Sequence, residues 1–307
     1  MRGGRLIGLG LVTVLAATLA GCRPTAAEGP GLSVVVGFYP LQFVAEQVGG
    51  DRVHVTNLAQ PGAEPHDLEL RPSQMARIAG ASLVLYLYGL QPVVDQAVQL
   101  TGATAMDVAA LMPLRDAPVA IGPDDPRAER DSGTKDPHVW LDPTRLATIA
   151  GAVTEQLAAL DPGGAEGYRQ RDAELSATLS GLDSEYTDGL RSCDRRDIVV
   201  SHAAFGYLAD RYGLRQIGIT GLSPDAEPTP AHLAAAADEA RRVGATTIFF
   251  ESLASPEVAQ SVAGAVGARV AVLDPIEGLR PDAPGDDYVS LMRSNLATLR
   301  DALGCAA

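Results

Sequence analysis

Two α/β lobes, each built on a mostly parallel sheet and joined by a long rigid connecting helix, form the fold class this sequence predicts. Three observations predict it. Short β-branched runs alternate with helical patterns over residues 32–100, the alternation returns over residues 198–303, and a long helical stretch lies between the two series. The length agrees: 307 residues, or about 285 without a leader, is more than one typical core holds and suits two.

The leader is read as a targeting signal rather than as fold. Arg2 and Arg5 give a positive start, and Leu6–Ala20 is an apolar run broken only by Gly and Thr. That run is too short for a comfortable membrane span. It ends in Leu19-Ala20-Gly21-Cys22, which resembles the bacterial lipobox, where the cysteine is diacylated and becomes the mature N-terminus. Residues 1–21 are therefore assigned to a lipoprotein signal peptide and Cys22 to lipid attachment, with an ordinary signal peptide cut elsewhere as the alternative. The expected location is the outer face of the cell membrane, reached through the anchor.

In the first series Ser33–Phe38, Val53–Leu58 and Leu83–Tyr88 read as strands. Leu41–Val48, Pro72–Ala79 and Pro92–Leu100 read as the helices between them. Continuous apolar strands alternating with helices mark a parallel sheet covered on both faces. Pro113–Lys135 is polar and rich in Pro and Asp, and reads as a solvated loop. Pro143 can open a helix, and Leu146, Ile149, Val153, Leu157 and Leu160 follow at helical spacing. Asp161-Pro162-Gly163-Gly164 ends that helix. Tyr168, Leu175, Leu179, Leu182, Tyr186 and Leu190 then hold one face of a second, longer one, read as the connector.

The second series places strands at Ile198–Ser201, Gln216–Thr220, Thr247–Phe250 and Arg269–Leu273. Its helices fall near Ala204–Tyr212, Pro230–Val243, Pro256–Val266 and Asp287–Leu303. The expected division is an N-terminal lobe over residues 22–164, a connecting helix over 165–191 and a C-terminal lobe over 192–307.

The formal net charge is −14 and becomes −16 once the two leader arginines are removed. An acidic surface argues against nucleic acid and against direct adhesion to anionic headgroups. Of three cysteines, Cys193 and Cys305 remain after the lipobox. An even pair in an oxidising compartment predicts a disulfide, two free buried thiols being the alternative. Neither has a Cys or His nearby at metal-ligand spacing.

Three of the five histidines have telling surroundings. His66 lies in a loop just past the strand ending at Leu58, His138 just before the helix opened by Pro143, and His202 directly after the strand Ile198–Ser201. Asp274 directly follows the strand Arg269–Leu273. Most of these sit at carboxyl ends of strands, the edge where open α/β sheets bind ligands. Three imidazoles and a carboxylate complete a tetrahedron around zinc, and two come from each half, which places the metal in the cleft between lobes. Glu64 is a candidate alternative ligand, Asp67 a candidate support for His66, and Glu251 a candidate support for the site. Trp140 reads as core, and His54 and His232 as structural or exposed.

These segments resemble the metal-specific solute-binding lipoproteins of ABC importers, the zinc- and manganese-binding TroA-like superfamily. Pro61-Gly62 to His66-Asp67, Asp136-Pro137-His138-Val139-Trp140-Leu141-Asp142-Pro143 and Ser201-His202-Ala203-Ala204-Phe205-Gly206-Tyr207 match its motifs in order and spacing. The resemblance covers essentially the whole mature chain. It implies two lobes bridged by a long helix, small hinge motion, and Zn2+ held as transported ligand by His66, His138, His202 and Asp274. The implied partner is an ABC permease, and the implied state is a monomer. Three nitrogens favour zinc, while the short, acidic, histidine-free loop before His138 departs from many zinc members and leaves manganese or dual specificity as the alternative.

A zinc hydrolase is the competing class, but His-Glu-x-x-His, Gly-x-Ser-x-Gly and a phosphate loop are all absent. Full four-residue coordination argues for holding metal rather than for catalysis. An adhesin-type surface lipoprotein is the third class, and no aromatic-rich stripe supports it.

Overall fold

A computed structural model describes residues 31–118, 134–224, 227–280, 285 and 287–306. Cys22, the signal peptide and most of the Pro113–Lys135 loop lie outside these residues.

The first sheet contains β1 (Leu32–Val36), β2 (Val53–Asn57), β3 (Leu83–Tyr86) and β4 (Ala105–Asp107) in the order β2-β1-β3-β4, all parallel. Val34, Val35 and Val36 of the inner strand β1 are buried on both faces, which is why that run reads as unbroken valine. β4 has no counterpart in the sequence reading. It is three residues long, lacks a β-branched side chain, and gains its strand geometry from pairing Val84 with Ala105 and Leu85 with Met106. The second sheet repeats the plan with β5 (Asp197–Val200), β6 (Arg215–Gly218), β7 (Thr247–Phe250) and β8 (Arg269–Val272), in the order β6-β5-β7-β8 and again all parallel.

In each sheet the chain steps one way from its first strand and then returns to the other side. That reversal leaves a crevice at the carboxyl ends of the central pair, β1/β3 or β5/β7.

Nine helices are described: α1 (Tyr39–Gly49), α2 (Pro72–Gly80), α3 (Pro92–Thr101), α4 (Pro143–Leu160), α5 (Ala165–Gly189), α6 (Gly206–Tyr212), α7 (Pro230–Arg242), α8 (Glu257–Val266) and α9 (Tyr288–Leu303). Proline occupies the first position of α2, α3, α4 and α7, where its missing N–H costs nothing. Asp142 caps α4 by accepting from Thr144 N–H, and Asp287 caps α9 through a reciprocal exchange with Ser290.

Outer apolar clusters sit under α2 and α3 on the first sheet and under α7 and α8 on the second. The inner cluster is different. It runs without a break from β1 and β3 through α1, α4, α5 and α9 to β5. The two lobes therefore share one core.

Helix α5, 25 residues and about 37 Å long, fastens that core to both halves. Near its start Arg171 donates to the carbonyls of Val48 (2.6 Å) and Gly49 (3.0 Å) at the end of α1. Near its end the Tyr186 hydroxyl donates to the Met292 carbonyl of α9 at 2.6 Å, and Glu185 takes a two-pronged bond from Arg293. Buried Tyr168, Leu175, Leu179, Leu182 and Tyr186 lie along its inner face, the spacing read from the sequence.

Cys193 and Cys305 form a disulfide across 112 residues, tying the segment after α5 to the end of α9. Replacing both by Ser should lower unfolding free energy by about 2–5 kcal/mol, through the chain entropy that a loop of this length regains when unfolded. Denaturant titration of the variant beside the oxidised parent measures this.

Candidate metal centre

His66, His138, His202 and Glu277 come together, with one donor atom from each within 4.8 Å of the others. Glu277 Oε1 lies 3.1 Å from His138 Nε2, 3.5 Å from His66 Nε2 and 3.7 Å from His202 Nε2. His138 Nε2 and His202 Nε2 are 3.5 Å apart. His138, His202 and Glu277 are fully buried, while His66 keeps 13% of its side chain exposed and forms the solvent-facing wall.

Each imidazole arrives from a different element. The loop after β2 carries His66, and Glu64 shapes it by accepting the His66 N–H at 3.1 Å. His138 stands before the single 3-10 turn that leads into α4, its ring against Trp140 with centroids 5.3 Å apart. His202 follows β5, beside the end of β7 that carries Glu251. Those two residues thus occupy the crevice where the second sheet reverses its strand order.

Buried carboxylates fix two of the rings. Asp136 Oδ1 contacts His138 Nδ1 at 2.8 Å and also accepts the His138 N–H at 3.0 Å. Glu251 Oε1 contacts His202 Nδ1 at 2.9 Å. A carboxylate on Nδ1 places the proton there and leaves Nε2 with its lone pair turned inward, the tautomer a metal needs. Both Glu277 oxygens and His66 Nε2 are buried without a hydrogen-bond partner. Buried polar atoms rarely stay unpaired, so this set of donors is chemically suited to a cation.

The charges agree. Burial alone would lower the His138 pKa, but the Asp136 and Glu277 carboxylates outweigh it and push the imidazole up to about 10. Burial would raise Glu277, yet the charge of His66 and the His138 imidazole beside it hold it well below the usual carboxylate range. Glu64, half-buried and facing Glu277 and Glu251, is pushed up to about 9. Ion-free, the centre pairs a carboxylate with a protonated imidazole.

Asp274, expected as the fourth ligand, does not join the group. Its Oδ2 accepts from the Ser252 hydroxyl at 2.5 Å and its Oδ1 from the Ile276 N–H at 2.7 Å, so protein donors engage both oxygens. The carboxylate that meets the imidazoles belongs to Glu277, three residues further on. Between them Ile276 takes φ +58°, alone among described non-glycine residues in having positive φ. A β-branched residue there costs roughly 1–2 kcal/mol, and nothing in the local pattern announces such a turn. Asp136 was also missed as a support, although a carboxylate two residues before a histidine is a readable signal. Of the supports the sequence did suggest, Glu251 holds His202 and Asp67 is exposed. Trp140 is core, and its Nε1 also donates across to the Pro275 carbonyl at 2.7 Å.

The chain is similar to proteins of zinc uptake and zinc binding. A family model described as the periplasmic component A of zinc-uptake complexes (ZnuA) matches residues 34–302. The high-affinity zinc uptake system protein ZnuA of Bacillus subtilis (strain 168) is 32% identical over 288 residues, 90% of this chain and 89% of that protein. The zinc-binding lipoprotein AdcA of Streptococcus pneumoniae serotype 4 is 31% identical over 303 residues; the match takes in 96% of this chain but 60% of that relative. Among solved structures, the Zn(II)-bound ZnuA-like domain of S. pneumoniae AdcA superposes with TM-score 0.74 at 31% identity, covering 89% of this chain and 99% of that one. The laminin-binding protein Lmb of Streptococcus agalactiae, described as bifunctional with adhesin and metal-transporting activity, gives TM-score 0.78 at 29% identity, covering 89% and 100%.

Removing the carboxylate behind a ring should loosen that ring without deleting a donor. Asp136→Ala and Glu251→Ala are each expected to weaken divalent transition-metal binding roughly 10–100-fold, as measured by calorimetric titration.

Proposed function

We propose that this chain, which belongs to the family of the periplasmic zinc-uptake component A, binds one zinc ion through His66, His138, His202 and Glu277 and delivers it to an ABC permease. The chain is a transport-system binding component working outside the cytoplasm, not an enzyme. The observation that carries the ligand assignment is the convergence of three imidazole Nε2 atoms on one buried, unpartnered carboxylate.

Three nitrogens and one oxygen suit zinc, which takes tetrahedral N and O donors. Manganese favours oxygen-rich sites, and a single carboxylate offers it little advantage. The donors come from both lobes, His66 and His138 from one and His202 and Glu277 from the other. Zinc binding therefore stabilises whichever lobe arrangement brings all four together, and that arrangement is what a permease would recognise. The protein acts as a monomer, tethered through a lipid on Cys22. Cys22→Ala is expected to move the protein from the membrane fraction to the soluble one, as read by fractionation and blotting.

Calorimetric titration of metal-stripped protein should show one tight zinc site, poorly filled by manganese and largely lost in His202→Ala. Absence of a stoichiometric zinc site would overturn the reading.

The pH dependence has a definite sign. Zinc takes neutral imidazole, and the ion-free form holds a proton on His138 up to about pH 10. Metal and proton compete, so affinity falls as pH falls, about tenfold per unit for each proton displaced. Titration at neutral pH in buffers of different ionisation enthalpy is expected to show proton release on binding.

A further inference from the structure

We propose that Asp274 is a positioning residue for the Glu277 carboxylate, clamping the left-handed turn at Ile276 that carries the chain from the end of β8 into the metal centre. The inference rests on the zinc-binding reading above and assigns a role that the ligand set does not include.

The clamp is visible bond by bond. Oδ1 of Asp274 accepts the Ile276 N–H at 2.7 Å, spanning the turn from within. Oδ2 accepts from the Ser252 hydroxyl at 2.5 Å, which ties the turn to the segment after β7. The Asp274 N–H donates to Asn295 Oδ1 at 2.9 Å, and its carbonyl accepts from Asn295 Nδ2 at 2.6 Å, which fixes the residue against α9. On the far side, Trp140 Nε1 holds the Pro275 carbonyl at 2.7 Å, and the Tyr39 N–H meets the Glu277 carbonyl at 3.3 Å. Residues 274–277 are thus held from both lobes.

This bracing has a physical reason. Ile276 is fully buried and sits at φ +58°, a conformation that β-branched side chains resist. Without the Oδ1 acceptor, its peptide is free to relax toward negative φ, which swings the next side chain. The Glu277 carboxylate has no hydrogen-bond partner that would recapture it, only the three imidazoles. Its placement therefore depends on the backbone of the turn, and the turn on Asp274.

The test is a double-mutant cycle on zinc affinity in the full chain, with apo thermal unfolding as a check on folding. Asp274→Asn keeps an oxygen facing the Ile276 N–H and should bind zinc much like the parent. Asp274→Ala should lose roughly 10–100-fold. Glu277→Ala should lose at least as much, and Asp274→Ala/Glu277→Ala should be no weaker than Glu277→Ala alone, because Asp274 acts only through Glu277. The visible spectrum of bound Co2+ should be retained in Asp274→Asn and altered in Asp274→Ala, a change that loss of fold stability alone would not give. Additive losses, or Asp274→Asn as weak as Asp274→Ala, would overturn the proposal and make Asp274 a ligand. Should Asp274→Ala not fold, Asp274→Asn decides: near-parent affinity supports the role, and a loss matching Glu277→Ala overturns it. Unchanged binding in Asp274→Ala beside a loss in His202→Ala sinks this inference alone, whereas no zinc binding by the parent sinks the reading of the centre.

Discussion

A carboxylate buried among three imidazoles is the constraint on which this structure turns. Glu277 is fully enclosed, and both its oxygens are without a hydrogen-bond partner. A buried charge is tolerated only when a partner of opposite sign faces it. Here the partner is a proton shared with the imidazoles or a metal that replaces it, and both choices demand the same geometry. That demand explains the carboxylates behind the rings. Asp136 and Glu251 orient His138 and His202 so that their Nε2 atoms share one focus with Glu277.

Holding four donors from four separate segments in one place requires lobes that do not drift. The continuous inner core from β1 to β5 supplies that stiffness, and α5 is its spine. Hydrogen bonds add a second layer nearer the centre. The Tyr207 hydroxyl donates to the Asp136 carbonyl at 2.8 Å, and the Tyr288 hydroxyl donates to the Trp140 carbonyl at 2.5 Å. Each links the second half of the chain to the segment bearing His138. Any motion that opens the centre must work against this seam, so only small displacements are compatible with the packing.

Much of this was legible in the residues, and the gaps have physical causes. Parallel strands buried on both faces leave unbroken apolar runs, so β1, β5 and β7 could be read directly. β4 could not, because its three residues owe their conformation to β3 rather than to their own preference. Histidines at strand ends and before α4 were findable because position and residue type agreed. The carboxylate was harder. A reading that stops at the first acid after β8 arrives at Asp274, whereas the fold continues through a proline and a left-handed isoleucine before Glu277 faces inward. Backbone strain of that kind leaves no trace in composition or periodicity, since tertiary contacts impose it.

Charge balance then narrows what the centre can hold. With neutral imidazoles, Glu277 supplies one negative charge to a divalent ion, leaving a net positive core. Glu64 and Glu251 stand close by, and both carry an oxygen that is buried without a partner. One oxygen of each is engaged, Glu251 Oε1 by the His202 ring and Glu64 Oε1 by the His66 N–H. The arrangement favours zinc through the donors that converge, three imidazole nitrogens and one carboxylate oxygen.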